Sequence, residues 1–206
     1  ALSRAYVEFT SASSSFDEVV TDAKEFVVDH MLAGEINGLA TELDRISERH
    51  WSTRDYTGER IRAALREVVV QFPVYRTYVS ETGAAPEDLR DIDWAVSRAR
   101  RRWRGPDPEI FDFLRAALSL ELGRSPSPYR RAEVVRFAMR FQQYTGPITA
   151  KALEDTSFYR HNLLVSLNEV GGDPRQRSTS VAALHQANRQ RAKLWAHSML
   201  TTATHD

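Results

Sequence analysis

At 206 residues the chain is long enough for one or two domains with a sizeable core. Its 42% hydrophobic and 27% charged residues describe an ordinary soluble globular composition, and 28 basic side chains balance 28 acidic ones, which leaves no overall field favouring nucleic acid or an acidic membrane. The absence of cysteine excludes disulfides and thiolate metal sites and fits a reducing, cytoplasmic compartment. No apolar run approaches the ~20 residues of a membrane span, and Ala1-Leu-Ser-Arg4 is not a signal peptide. A chain that starts without methionine and stops on His205-Asp206 reads as an excised piece.

In chain order, Ala1–Ser15 ends in Ser11-Ala-Ser-Ser-Ser15 and reads as a flexible leader. From Phe16 a helical period sets Val19, Val20, Ala23, Phe26, Val27, His30 and Met31 on one face. It continues through Ile36, Leu39, Ala40, Leu43 and Ile46, with Gly34 and Gly38 as weak points, so one long helix or two stacked on Gly34 both fit. His30 falls on the apolar stripe, where a core histidine belongs, whereas Glu42, Asp44, Arg45, Glu48 and Arg49 read as a solvated face. Ser52-Thr-Arg-Asp55 has the spacing of a capping box for a helix running to about Gln71. Pro73 stops that helix, and Val74-Tyr-Arg-Thr-Tyr-Val79 alternates as a strand should, with Arg76 exposed.

Pro86-Glu-Asp88 opens the next helix, with proline in the first turn and acids at the positive end of the dipole. That helix ends in Arg98-Ala-Arg-Arg-Arg-Trp-Arg104, where cations offset the opposite pole. Asp107-Pro108 caps a helix with the face Ile110, Phe113, Leu114, Ala117 and Leu118, closed by Gly123. Ser127-Pro128 starts another through Val134, Phe137, Ala138 and Phe141. Tyr144-Thr-Gly-Pro147 reads as a turn, followed by a short helix to about Ser157, and Val170-Gly-Gly-Asp-Pro174 as a loop. Val181–Trp195 is an amphipathic helix, and Ser198–Thr204 alternates as a final strand that delivers His205 and Asp206.

The densest mixture of polar and aromatic side chains lies in Phe141–Pro174. Gln142, Gln143, Lys151, Glu154, Asp155, Arg160, His161, Asn168 and Glu169 are set there among Phe141, Tyr144, Phe158 and Tyr159. Rings that stack on C–H faces, beside amides, a cation and carboxylates, suit a polyhydroxylated ligand. The same composition also describes a polar helix end and a turn-rich loop, in which Lys151, Glu154 and Asp155 form an ordinary surface ion-pair set. The histidines at 30, 50, 161, 185, 197 and 205 show no ligand spacing, and no phosphate-binding or dinucleotide fingerprint is present, so no metal or cofactor is expected.

The stretch FQQYTGPITAKALEDTSFYRHNLLVSLNEVGGDP resembles the maltooligosyl trehalose synthases, intramolecular transglycosylases of the alpha-amylase superfamily, as do FPVYRTYV at Phe72–Val79 and TTATHD at Thr201–Asp206. These blocks stand in the family's order and cover about a quarter of the chain. The resemblance implies retaining chemistry on malto-oligosaccharides, turning the reducing-end α-1,4 bond into an α,α-1,1 bond. It implies Asp206 as the carboxylate that stabilises the transition state and His205 as a hydroxyl-binding neighbour. It also implies that Lys151, Glu154, Asp155, Tyr159, Arg160, Asn168 and Glu169 meet the sugars at the reducing end. The nucleophile and the acid/base would lie outside this chain, which alone would be inactive. Its partners would be the malto-oligosaccharide and the remainder of the parent enzyme, with no nucleic acid and no membrane.

The expected architecture is mostly α, a helical insertion of a TIM-type (β/α)8 barrel enzyme with short barrel-derived strands near 74–79 and 199–204. Within a single fragment, 16–71 is a helical segment, 72–80 a barrel-like strand, 86–145 the helical insertion, and 146–206 the substrate-site block with its helix and final strand. A non-catalytic helical interaction domain, with 98–104 as its contact patch, is the alternative class.

Overall fold

The computed structural model describes residues 2–11, 15–175 and 179–199; the expected final strand beyond Met199, with His205 and Asp206, lies outside them. The described residues are predominantly helical, with an isolated antiparallel bridge between Ser80 and Gly83 and no strand. They fall into two compact units, one of Val20–Leu153 and one of Ala1–Val19 with Glu154–Asp206.

In the larger unit, helix α2 (Phe16–Phe26), which follows α1 (Leu2–Thr10) and whose first residues belong to the other unit, runs into a π turn, Val27–Met31, and stops at Leu32, where φ is −124° and ψ 34°. Helix α3 (Ala33–Ser47) follows, so the two-helix alternative holds, with its joint just before Gly34. The wider turn accommodates one extra residue and so moves the stripe by about 100°. Val27 and Val28 are buried, whereas Phe26, His30 and Met31 are exposed. His30 is therefore no core histidine; its ring lies 5.0 Å from that of Phe26.

Helix α4 (Gly58–Val70) is capped by Thr57, whose Oγ1 accepts from Arg60 N at 3.3 Å, and not by Ser52. Ser52–Asp55 lie in turns, because Thr53 closes the preceding connection: its buried hydroxyl donates to Ser47 O at 2.6 Å and meets Tyr129 Oη at 2.9 Å. Helix α5 (Pro86–Arg102) opens on its proline as expected, with Asp88 Oδ2 accepting from Ala85 N at 3.1 Å. Helices α6 (Ile110–Leu118) and α7 (Arg131–Ala152) complete the unit. The backbone turns after α6 at Leu120, which is left-handed (φ 64°), ahead of the expected Gly123. Asp107 pairs with Arg60 at 2.6 Å instead of capping α6. α3 packs on α4 and α7, α4 on α5, and α6 on α5 and α7. The stripes 36–46, 61–68, 92–99, 110–118 and 134–141 read from the sequence are the faces that meet in the core.

Phe72–Ser80 departs from expectation. Among the described residues it has no strand beside it, and helix side chains meet its polar backbone instead. Lys24 Nζ donates to Phe72 O at 2.6 Å, Gln142 Nε2 to Val79 O at 2.9 Å, and Thr149 Oγ1 to Val74 O at 3.5 Å. Tyr78 N donates to Asp88 Oδ1 at 2.8 Å, and Thr77 Oγ1 to Gln142 Oε1 at 3.2 Å. The alternation holds from Arg76 on and reports alternate burial: Thr77 and Val79 point inward, Arg76 and Tyr78 outward, with the Arg76 guanidinium 4.7 Å over the Tyr78 ring, whereas Tyr75 is exposed like its neighbour Arg76.

Tyr144–Pro147 is not a turn either, since α7 passes straight through it. Pro147 removes one helical donor, but Tyr144, Thr145, Ile148 and Thr149 are buried around it, and Tyr144 Oη donates to Leu32 O at 3.1 Å. Burial on both sides of the proline outweighs the turn propensity of the tetrapeptide. The basic end of α5 is largely engaged: Arg98 donates to Gln71 Oε1 at 3.0 Å, while Arg100 pairs with Asp112 and Arg102 with Glu25.

Burial pushes the Lys24 amine down to about 8. An unfolded lysine titrates near ~10.4, so the folded state binds this proton less tightly than the unfolded chain. The penalty is fully present below pH ~8 and is relieved as pH rises toward ~10.4, so stability rises across that window. Denaturant melts of wild type and Lys24→Met should show the wild type gaining about 2 kcal/mol relative to the variant between pH 7 and pH 10. A pH-independent difference would contradict this account of the amine.

Candidate functional site

The smaller unit is built from both ends of the chain. It contains α1 (Leu2–Thr10), the start of α2, most of a second π turn (Leu153–Ser157), α8 (Phe158–Arg160), a 3-10 turn (Val165–Leu167) and α9 (Val181–Leu194). The expected leader is thus helical over Leu2–Thr10, with Thr10 Oγ1 donating to Tyr6 O at 2.7 Å. Ser180 caps α9, its Oγ accepting from Ala183 N at 3.1 Å. α9 forms where its periodicity predicts, yet each of its residues is exposed.

Phe16 is the wedge of this unit. Its ring stacks on Phe158 at 6.2 Å and meets His161 edge-on at 5.1 Å. Asn168, also buried, donates from its amide to Phe158 O and His161 O, both at 2.7 Å. Carbonyls at a helix end have no donor within the helix, so this one side chain closes α8 and ties the following loop to it. The loop then turns at Gly171 (φ 83°) and Gly172, where a Cβ would stand 2.8 Å from Leu167 O. A hollow of about 280 Å³ opens in the same unit, lined mainly by Leu2, His161, Leu163, Leu164, Leu167 and Pro174. Its walls are largely apolar and hold none of the side chains expected to meet sugar.

Those side chains are distributed as follows. Lys151 is exposed in the last turn of α7, in the larger unit. In the smaller unit, Glu154 is half-buried and Asp155 exposed on the π turn, and Tyr159 and Arg160 are exposed on α8. Asn168 is buried and Glu169 half-buried in the loop. His205 and Asp206 lie outside the described residues. The aromatics do not form one platform. Phe141 packs edge-on against Phe72 at 5.3 Å, Tyr144 is buried with its hydroxyl raised well above the usual phenol range by desolvation, and Phe158 lies under Phe16. Tyr159, at 53% exposure, is the ring of this set that faces solvent. The distinguishing signal was already in the spacing: Phe137, Phe141, Tyr144 and Ile148 follow a helical stripe, which marks a buried face. Gln142 belongs to that interior too, through its bonds to Thr77 and Val79. Among the described residues no three His, Asp or Glu side chains gather as a metal site would need, and no helix is long and apolar enough to cross a membrane.

In fold, the chain is similar to part of a solved glycosyltrehalose synthase, with a TM-score of 0.56 and 24% identity over 93% of this chain and 19% of that one. In sequence, it is 52% identical over 69 residues to proteins named as maltooligosyl trehalose synthases from two strains of Mycobacterium tuberculosis, a stretch that makes up 34% of this chain and 9% of each of theirs. No protein-family model matches. The chain thus spans a minor part of either relative's length, and the resemblance to maltooligosyl trehalose synthases read from its sequence blocks is borne out.

Asn168→Ala should leave two buried carbonyls without their donor and destabilise the loop by about 2 kcal/mol. Amide exchange should quicken between residues 158 and 172 while the amides of α3 keep their protection. Unchanged exchange in that stretch would remove Asn168 from this role.

Proposed function

We propose that this chain is part of an intramolecular transglycosylase that converts the reducing-end α-1,4 bond of malto-oligosaccharides into an α,α-1,1 bond, as a cytoplasmic enzyme of trehalose formation. The observation that carries the reading is the 52% identity over 69 residues to proteins named for that reaction. The helical units are the helical insertion of a TIM-type barrel enzyme of the alpha-amylase superfamily. Support for that placement comes from the helical fold shared with part of a glycosyltrehalose synthase.

Retaining transfer requires a carboxylate nucleophile and a carboxylic acid about 5 Å apart, with an oxocarbenium-like transition state between them. In this reading both come from outside these 206 residues. Asp206 is a third carboxylate facing the developing positive charge, and His205 holds a neighbouring hydroxyl. After the bond breaks, the freed glucose must stay and turn so that its own anomeric hydroxyl attacks the glycosyl-enzyme; if it leaves, water completes a hydrolysis instead. Lys151 hydrogen-bonds that glucose, and Glu154, Asp155, Tyr159, Arg160 and Glu169 contact the sugars beside it. The exposure of Lys151, Asp155, Tyr159 and Arg160 supports such contacts. The bonds of Asn168 support a role in positioning the loop that carries Glu169. The interaction-domain alternative finds less support, because Arg98, Arg100 and Arg102 of its contact patch already have partners.

Incubated with maltopentaose, the 206-residue chain alone should yield no trehalose-ended product. In the longer enzyme carrying it, Asp206→Asn should lower turnover about a hundredfold or more while shifting substrate affinity by less than about tenfold, because its charge acts in the transition state. Lys151→Ala should raise the ratio of released glucose to trehalose-ended product. Full turnover in Asp206→Asn would overturn the reading, and an unchanged ratio in Lys151→Ala would return that lysine to a surface ion-pair role.

A further inference from the structure

Helices α3 and α7 flank a cleft of about 640 Å³ whose walls are charged. Gly38, Thr41, Glu42, Arg45 and Arg49 recur at helical spacing along α3 and the residues just beyond it, and Glu133, Arg136 and Arg140 do so on α7. Arg45, Arg49, Arg136 and Arg140 bring four positive charges against the two negative charges of Glu42 and Glu133, leaving an excess of two.

Both carboxylates are already occupied. Glu42, with 9% of its side chain exposed, accepts from Arg136 Nε and Arg140 Nη1 at 2.7 Å each. Glu133 accepts from Arg49 Nη2 at 2.8 Å and lies 3.6 Å from Arg130 Nη1. A guanidinium carries five N–H donors, so these contacts leave most of the donors in the cleft for another acceptor. Arg45 makes no ion pair among the described residues and stands one turn before Arg49. Gly38 borders the cleft beside Arg140, whose Nη2 lies at an ordinary contact distance, 3.5 Å, from where a Cβ would stand.

The geometry points to a binding site for a doubly charged phosphate group, carried by free phosphate or by a small phosphomonoester. Such a group neutralises the excess of two, whereas a monocarboxylate would neutralise half of it. Guanidinium forks match phosphate oxygens in pairs, and the volume lies within the ~300–1,000 Å³ range of small-molecule sites. Glu42 holds Arg136 and Arg140 in place before the ligand arrives, which lowers the ordering cost of binding. None of these residues belongs to the set assigned to sugar contact, so the site stands or falls independently of the transglycosylase reading.

Calorimetric titration of the 206-residue chain with inorganic phosphate, and separately with glycerol 3-phosphate, tests this at an ionic strength held constant with sodium chloride. Saturable binding of at least one probe at about 1 mM or tighter is expected. Arg45→Gln and Arg49→Gln should each weaken it about tenfold, the loss of one charge-assisted contact. Arg104→Gln, which removes the same charge from an exposed position outside the cleft, should leave it unchanged. Arg45→Gln breaks no ion pair, so its circular dichroism and melting in chloride should match those of the wild type. Equal affinity for both probes would make the phosphate group alone the ligand, and tighter binding of the ester would add its organic part. The absence of saturable heat from either probe up to about 10 mM, or an equal loss in Arg104→Gln, would overturn the proposal.

Discussion

A non-helical segment with no strand partner among the described residues governs the larger unit. Phe72–Ser80 runs among helices, and buried backbone N–H and C=O groups that find no partner are strongly unfavourable. Helix side chains supply the partners: Lys24 from α2, Asp88 from α5, and Gln142 and Thr149 from α7. This requirement accounts for a set of buried polar residues that would otherwise be puzzling, since Lys24, Thr77, Asp88, Gln142 and Thr149 are each 7% exposed or less. It also ties three helices to one segment, so the apolar stripes of α3, α4 and α6 close around a frame whose register is fixed by hydrogen bonds.

The helices were legible because their apolar stripes repeat with the helical period and have no competing partner to bury. Besides the helix over Leu2–Thr10 and the unbroken course of α7 through Tyr144–Pro147, what the sequence concealed were departures of one residue or one partner. The π turn at Val27–Met31 shifts the stripe by one position and moves His30 and Met31 into solvent while leaving composition untouched. Alternating burial along 76–79 imitates a strand, because a two-residue period reports facing and says nothing of the ladder. Capping-box spacing points to Ser52, yet Thr57 caps α4, because the contacts of Thr53 hold Ser52–Asp55 in the preceding turns. Of the candidate site, the exposed cluster of Asp155, Tyr159 and Arg160 was visible as chemistry. The inward turn of Phe141 and Tyr144 was legible in their helical spacing, whereas that of Phe158 and Asn168 depends on tertiary neighbours such as Phe16, far away in sequence.

The same division bears on function. Similarity to trehalose-forming enzymes covers a minor part of those proteins, and the described residues contain helices and connecting turns without a barrel strand. In the proposed reading, the described residues contribute scaffold and rim, and catalytic carboxylates come from other parts of the enzyme. The seam between α3 and α7 fits a scaffold less simply. Helix seams ordinarily bury apolar stripes, yet part of this one opens as a cleft with four guanidiniums.

The central structural claim is that side chains, and no neighbouring strand, hold the 72–80 segment. Site-resolved amide exchange of Tyr78 tests it most directly, because the side chain of Tyr78 is exposed while its N–H is bonded to Asp88 Oδ1 at 2.8 Å. The account predicts that this amide exchanges about a hundredfold or more slower than an open chain, and that Asp88→Ala abolishes the protection of Tyr78 while the amides of α3 stay protected. Open-chain exchange of Tyr78 in the wild type, or protection that survives Asp88→Ala, would contradict it.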